Sequence, residues 1–264
     1  MNKIAGFYSF GEDLSRKMGG LENILKKMKQ AQEPACMRKE MSRRNKRETV
    51  TQDEREYVNR RFGFIRTERF FILPKGEGDA GILYSGEIYN GRALKSELSA
   101  SGFPVPEDEA ELLLAAYLAW GPDFIRKVNG SFSIAVMDTK ENKLLLFRDR
   151  AGTKPLFYTV NPEGILRFAS SVKSLLACPG VRPQADLSSL NEIFSIGPAR
   201  TPGCGVYKNI SEVLPGHFLC ASSSGISQHC YWNLEARPHT DSYEETVEKT
   251  KALIEDSVRN QISS

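Results

Sequence analysis

The apolar residues of this chain fall mostly into short runs that predict β-strands. The first run covers residues 4–10 and reads as a buried strand, and a second covers residues 62–73. A third strand, GILYSGEIYN, ends in a turn. The remaining runs form two hairpins and two further strand-like stretches: SFSIAVMD with KLLLFRD, LFYTV with ILRFASS, YKNISEVLPGHFLCAS, and GISQHCYWNL.

A second pattern, with apolar residues three or four positions apart, predicts helices. It covers the stripe from Leu14 to Met28, the amphipathic segment DEAELLLAAYLAWG with acids in its first turn, and residues 243–262. Shorter helices are expected at RALKSELSASG, VKSLLAC and LSSLNEIFSIG. Because many strands are flanked by only a few helices, the pattern favours stacked sheets covered by helices over a repeated βαβ arrangement.

Residues 34–61 differ from the rest of the chain. They carry many charges of both signs and few large apolar side chains, so they can bury little surface. We expect this stretch to be a mobile loop or an exposed helix. Its RRNKR core could attract a phosphate-rich partner, but a solvated face explains the same residues more simply.

Composition narrows the choice of partners and compartment. The 264 residues carry a net charge of +3, which gives no reason to expect nucleic acid or membrane binding. No apolar run approaches the ~18 residues of a membrane span, and the first residues lack the features of a signal peptide, so a cytoplasmic protein is expected. The five cysteines lack a CxxC pair and are expected to be reduced. Cys220, His229 and Cys230 lack the spacing of a zinc site, so no metal is predicted.

Several specific motifs follow one another along the chain, in order and at sensible spacing. They are SGEIYN from Ser85, ELLL followed by WG from Glu111, NGSFS from Asn129, and RDRAGTKPL from Arg148, with LPGH and YWN further on. Together they resemble the class II glutamine amidotransferase domain of glutamine-hydrolysing asparagine synthetases. The chain contains no GxGxxG after a strand, no P-loop and no GxSxG, so nucleotide-binding and serine-hydrolase motifs are unsupported.

The resemblance implies an α+β fold, a four-layer αββα sandwich of antiparallel sheets with the N-terminal-nucleophile hydrolase architecture. It assigns residues 1–235 to an amidotransferase-like domain, with 34–61 as a charged insertion. Residues 236–264 would be a linker and the first helix of an ATP-dependent synthetase domain. In such enzymes an N-terminal cysteine attacks the glutamine amide, its α-amine acts as the base, and an Asn-Gly pair stabilises the oxyanion. The ammonia moves to the synthetase domain, where ATP activates aspartate.

The nucleophile and the oxyanion motif of that family are altered here. Asn2 stands where the family has its cysteine, an amide is not a nucleophile, and Met1 is expected to stay before so large a residue. Ser85-Gly86-Glu87 stands where the family has Asn-Gly-Glu, and serine reaches less far than asparagine. Loss of such a donor costs roughly a hundred- to a thousandfold in rate. Glutamine hydrolysis is therefore not expected.

The residues that would hold the two ends of glutamine are also changed. The aspartate for the substrate α-amine aligns with Glu109, and Asp108 lies one position away. Either carboxylate could bind an amine, or both could simply begin a helix. Arg66 and Arg69 are candidates by position only for the clamping arginine, and either could be an ordinary surface residue.

The RDRxGxKPL motif has a structural interpretation. Arg148 and Asp149 can form a buried ion pair that fixes a turn, and Gly152 supplies a permissive backbone position. Lys154 is held extended because it precedes Pro155. Packing of this motif against a following domain belongs to the same interpretation.

Three functional hypotheses follow. The first is an asparagine synthase-like amidotransferase domain, truncated before the Gly-rich ATP loop that follows the last helix in the family, and inactive alone. The alternative is a non-catalytic binding subunit that docks on a separate ATP-dependent amide ligase. The third is a residual amidohydrolase with another nucleophile. No cofactor is expected, and the possible partners are glutamine and a separately encoded synthetase domain.

Overall fold

The computed structural model of this protein describes residues 4–10, 18–32, 57–58, 62–64, 70–75, 78–195 and 201–262. These residues form two six-stranded antiparallel sheets and the helices that cover them. None of the helices in the described ranges has the length and apolarity needed to cross a membrane.

The first sheet contains the strand nearest the N-terminus. Its strands are β1 (Ala5–Ser9), β2 (Tyr57–Val58), β3 (Phe62–Phe64), β8 (Phe157–Val160), β9 (Ile165–Ala169) and β10 (Ser211–Glu212). They lie in the order β10-β8-β9-β1-β3-β2. The strand predicted at residues 4–10 therefore lies inside the sheet, paired on one side with β9 and on the other with β3.

The second sheet contains the strand that carries SGEIYN. Its strands are β4 (Phe70–Lys75), β5 (Gly78–Ile88), β6 (Gly130–Asp138), β7 (Lys143–Arg148), β11 (His217–Ser222) and β12 (Gly225–Cys230). They lie in the order β12-β11-β7-β6-β5-β4. Both predicted hairpins are confirmed, with β6 pairing β7 here and β8 pairing β9 in the first sheet.

Turn chemistry explains why these hairpins close where they do. Asn161 accepts a hydrogen bond from the Ile165 backbone N–H at 2.7 Å, and Gly164 has a φ of +73°. In the other hairpin Asn142 has a φ of +51°. Glycine and asparagine adopt this left-handed backbone at little cost, so both turns follow from the local sequence.

Six α-helices are seen in the described ranges: α1 (Met18–Gln32), α2 (Gly91–Ala100), α3 (Glu109–Trp120), α4 (Val172–Leu176), α5 (Leu187–Ser195) and α6 (Tyr243–Ile262). A 3₁₀ helix, Gly121–Arg126, continues α3. Leu14 lies outside the described residues, whereas Leu25 and Met28 of the same predicted stripe are fully buried.

The core has three apolar layers, which give the molecule its sandwich. One layer packs α2 and α3 on the second sheet, one fills the space between the sheets, and one packs α1 and α4 on the first sheet. Side chains alternate along the strands: Leu83 of β5 faces the other sheet, while Ile82 and Tyr84 face the helices. Each large buried apolar side chain contributes about 1.5–3 kcal/mol. The predicted four-layer αββα fold is confirmed.

Two sequence predictions need correction. Residues 62–73 were expected to be one strand, but β3 belongs to the first sheet and β4 to the second. The helix at α3 was expected to be amphipathic, but it is buried on nearly every side because α2 covers the side that the sheet leaves open. The predicted insertion lies outside the described residues except for β2 at its end.

Two helices leave large apolar side chains uncovered within the described structure. On α5 the exposed apolar residues are Leu187, Leu190, Ile193 and Phe194. No residue of α6 is buried, and its exposed apolar residues are Tyr243, Val247, Leu253, Ile254, Val258 and Ile262. The predicted stripe on residues 243–262 therefore exists as a helix with nothing in the described chain packed over it.

Candidate functional site

The candidate oxyanion motif lies on β5, and its serine faces the other sheet. Ser85 is buried and lies two residues after Leu83 on the same face of the strand. It pairs directly with Ser133 of β6, which in turn pairs with Arg148 of β7. Three polar residues therefore form one row across the sheet, where the apolar filling between the sheets ends.

Gly86 occupies a position that only glycine can fill. Its φ is +141°, and an added Cβ would lie 2.7 Å from the Cα of Phe132 and collide with the carbonyl of Ser131. Gly130, opposite on β6, is equally crowded, because a Cβ there would collide with the carbonyl of Glu87. The close approach of β5 and β6 explains why both positions are glycine. Because neither residue has a side chain, only their backbone N–H and C=O groups can form hydrogen bonds at this point.

The two acidic candidates differ in their position relative to Ser85. Glu87 lies two residues further along β5, so it shares the face of the strand that carries Ser85, but it is exposed. Glu109 is the first residue of α3, which packs on the other face of the second sheet. Asp108 is the N-cap of that helix, and its Oδ1 accepts hydrogen bonds from the N–H groups of Ala110 (2.7 Å) and Glu111 (3.1 Å). Of the two readings for this acidic stretch, Asp108 fits the helix-capping one.

Three candidates from the sequence lie outside the described residues. They are Asn2, at the position of the family nucleophile, and Arg66 and Arg69, the positional candidates for the glutamine clamp. Their roles remain predictions.

Arg148 joins the two sheets. It is buried at the end of β7, and its guanidinium donates to the carbonyls of Val213 (2.7 Å), Gly152 (2.8 Å) and Lys154 (3.2 Å). Its Nη2 also lies 3.0 Å from Oε1 of the buried Glu212 in the first sheet. Arg148 therefore pairs with Glu212, whereas the sequence predicted a pair with Asp149. The prediction was wrong because successive side chains leave a strand in opposite directions.

Asp149 holds the turn that follows β7. Its buried carboxylate accepts five hydrogen bonds, from the N–H groups of Phe132, Ala151, Thr153 and Lys154 and from the Thr153 hydroxyl. The Asp149 backbone carbonyl accepts two more, from Gly152 and Gly216. A carboxylate that satisfies so many backbone donors fixes the loop more firmly than a single ion pair would.

The motifs that carry the resemblance meet around this turn. Gly152 has a φ of +67°, and an added Cβ would lie 2.8 Å from Pro215. The Tyr231 hydroxyl donates to the Arg148 carbonyl at 2.6 Å, and the Tyr231 N–H donates to the Gly216 carbonyl at 2.9 Å. Burial raises the pKa of Tyr231 above its ordinary value, and the charge of Asp149 acts in the same direction. RDRxGxKPL, LPGH and YW thus pack together and are joined by hydrogen bonds.

Sequence reasoning missed one partner in this region and undervalued another residue. Glu212 lies in a stretch read only as strand-like, and no spacing or motif marks it as the partner of Arg148. Ser133 belongs to NGSFS, but only strand register shows that it faces Ser85. In the part of the chain that the structure describes, no three His, Cys, Asp or Glu side chains converge on a possible metal position.

Comparison with known proteins decides the family. The glutamine amidotransferase domain family matches residues 18–232, which is most of the chain. The chain belongs to this family.

Similar proteins place this amidotransferase domain near the asparagine synthetases. It is 42% identical over 184 residues to asparagine synthetase (glutamine-hydrolyzing) 3 of Bacillus subtilis, covering 69% of this chain and 30% of that protein. It is 30% identical over 232 residues to asparagine synthetase (glutamine-hydrolyzing) 2 of the same organism, covering 80% of this chain and 31% of that protein. The chain therefore spans about a third of the length of these relatives.

A solved structure supports the fold of this amidotransferase domain. Glutamine phosphoribosylpyrophosphate amidotransferase from B. subtilis superimposes with a TM-score of 0.52 at 13% identity, covering 89% of this chain and 50% of that chain. At this low identity the likeness concerns the arrangement of sheets and helices. The family, the resemblance to asparagine synthetases and the α+β sandwich are therefore established together.

Proposed function

We propose that this chain is an asparagine synthase-like glutamine amidotransferase domain that keeps the scaffold of its family but does not hydrolyse glutamine. The observation that carries the proposal is the burial of Ser85, in a motif where the resemblance leads us to expect the oxyanion asparagine. Asn2 at the nucleophile position supports the same conclusion. A shorter donor and an amide in place of a thiol remove the two groups that act directly on the substrate amide.

The intact scaffold argues for a retained structural role. Arg148 bonds to both sheets, and Asp149 and Gly152 hold the turn that follows β7. A replaced nucleophile and oxyanion donor beside these buried contacts is what we expect where selection acts on the shape of the domain and not on hydrolysis.

Ammonia release from glutamine tests this proposal directly. The full chain is purified and assayed beside B. subtilis asparagine synthetase 3 as a positive control. We expect release at least about a thousandfold slower than in the control, since nucleophile and oxyanion donor are both replaced. Ammonia release at a rate comparable to the control would contradict the proposal. If that release were then lost on changing one Ser or Cys, hydrolysis would be assigned to that residue as the nucleophile.

A second candidate function, that of a binding subunit, is favoured by α6. Its apolar residues are exposed along the helix, with Leu253 at 71% and Ile254 at 59%. An uncovered stripe of this kind marks an interaction surface. In this proposal the occupant is an ATP-dependent synthetase domain, which would cover α6 and which the longer relatives make a reasonable partner.

Matched substitutions on α6 test the docking proposal. Ile254→Glu places a charge in the apolar stripe, whereas Ala252→Glu places the same charge on the opposite side of the helix. Co-purification with an ATP-dependent synthetase domain encoded beside this chain is expected to be lost in the first variant and kept in the second. Equal binding by both variants, or no binding by the unmodified chain, would rule out α6 as the docking surface.

A further inference from the structure

Arg167 is a buried arginine that belongs to none of the motifs described above. It lies in the middle of β9, between Leu166 and Phe168, which point into the space between the sheets. Arg167 therefore points to the other side, toward the layer formed with α1 and α4, where its neighbours Ile165 and Ala169 also lie. Only 6% of the residue is exposed.

The positive charge of Arg167 has no compensating anion in the described structure. Its one hydrogen bond there runs from Nη1 to the carbonyl of Pro179, at 3.4 Å, and it belongs to no ion pair. Arg148, which is equally buried, has three carbonyls and Glu212. Burying a charge without a partner is strongly unfavourable, so a position like that of Arg167 calls for something that neutralises it.

A second donor lies directly beside this guanidinium. Thr159 of β8 pairs with Arg167 across the strands, so both side chains lie on the same face. Thr159 is also 6% exposed, and its hydroxyl has no hydrogen bond in the part of the chain that the structure describes. Phe7 of β1 flanks Arg167 on the other side and supplies an apolar wall.

Cys178 lies in the same layer and close enough to Arg167 for the two groups to interact. Burial raises the pKa of the Cys178 thiol to about 11, and the positive charge of Arg167 opposes that rise. A thiol with so high a pKa stays neutral at physiological pH, so it does not provide the missing anion.

We propose that Arg167 and Thr159 form a binding site for a small oxyanion, a carboxylate or a phosphate. The planar guanidinium presents paired N–H donors that match two oxygens of such a group, and the Thr159 hydroxyl donates to one of them. This site lies on the helix-covered face of the first sheet, whereas Ser85 faces the space between the sheets. The anion would supply the negative charge that the described fold lacks.

Thermal unfolding of the full chain tests the site, with inorganic phosphate compared with chloride at equal ionic strength. We expect phosphate to raise the unfolding temperature of the unmodified protein and to have no such effect on Arg167→Leu. Thr159→Val keeps the β-branched shape, and we expect it to weaken the apparent phosphate affinity about tenfold, the loss of one hydrogen bond to a charged group. Arg182→Leu, which removes an exposed arginine three residues after Pro179, should respond as the unmodified protein does.

Two results would overturn the proposal. One is no phosphate effect on the unmodified protein together with none from acetate, which tests the carboxylate arm. The other is an equal phosphate effect in the unmodified protein, Arg167→Leu and Thr159→Val, which would place binding elsewhere. In phosphate-free buffer Arg167→Leu is expected to unfold at the same temperature as the unmodified protein or higher. A clear fall would be a third result against the proposal, because it would show that the protein itself satisfies this arginine.

Discussion

At the scale of single residues, the polar groups at this site divide into two kinds. Asp149 and Arg148 are buried and bonded to backbone groups from several segments. Ser85 and Ser133 are buried side by side on neighbouring strands, in the row that Arg148 completes. Residue identity alone was enough to single out Ser85 as a candidate, whereas the ion pair of Arg148 with Glu212 is visible only in the folded chain.

Asp149→Asn tests how much the five hydrogen bonds to the Asp149 carboxylate contribute to stability. Asparagine keeps one acceptor oxygen but turns an NH₂ donor toward backbone N–H groups, so several of the five bonds are lost. We expect a loss of about 3 kcal/mol or more in the free energy of unfolding, measured by urea denaturation.

Asp123→Asn is the matched control for that measurement. Asp123 is exposed and pairs with Arg126 at 3.0 Å, a contact that contributes less than about 1 kcal/mol. If both variants lose the same small amount, Asp149 does not hold the turn in the way its hydrogen bonds indicate.

At the scale of elements, strands and helices were mostly predictable from the pattern, but their surroundings were not. Helix α3 was recognised from its apolar residues. Its burial on nearly all sides, however, depends on α2, which comes from a separate segment. The division of residues 62–73 between two sheets is likewise decided by partners distant in the chain.

The start of α3 gives a test at this scale. Asp108→Ala removes the side chain that caps two N–H groups, and we expect a loss of about 1 kcal/mol in the free energy of unfolding. Asp108→Asn keeps a capping oxygen and should change stability little. A similar loss in both variants would mean that the charge of Asp108, and not its capping bond, is what matters.

At the scale of the whole molecule, the sandwich buries tyrosines whose ionisation it opposes. Burial raises the pKa of Tyr117, and its hydrogen bond to Asp138 at 2.7 Å raises it further. Burial also raises the pKa of Tyr231. Both hydroxyls therefore keep their protons in the folded protein at a pH where the unfolded chain loses them.

This difference predicts how stability changes in alkaline solution. A tyrosine whose pKa is raised in the folded protein stabilises the fold fully below the unfolded pKa of about 10. This contribution is lost as the pH rises above that value. Each of these two tyrosines should lower the free energy of unfolding by about 1.4 kcal/mol per pH unit above about pH 10. Urea denaturation between pH 9 and about 11.5 measures the slope.

Two phenylalanine variants isolate the effect. Tyr231→Phe is expected to reduce the slope by about one proton, whereas Tyr243→Phe removes an exposed tyrosine of α6 and should leave it unchanged. An unchanged slope in Tyr231→Phe would show that this hydroxyl titrates alike in the folded and unfolded protein.

The sequence by itself determined the family, the positions of most strands and helices, and the prediction of an altered site at Asn2, Ser85 and Glu109. These depend on local periodicity, turn residues and contiguous motifs, all of which are written along the chain. Only the tertiary structure decided that RDRxGxKPL, LPGH and YW pack together and that Ser85, Ser133 and Arg148 lie in one row across the second sheet. It alone showed Arg167 without an anion in the described chain. Strand register and long-range contacts join residues far apart in sequence, and local patterns carry no record of those pairings.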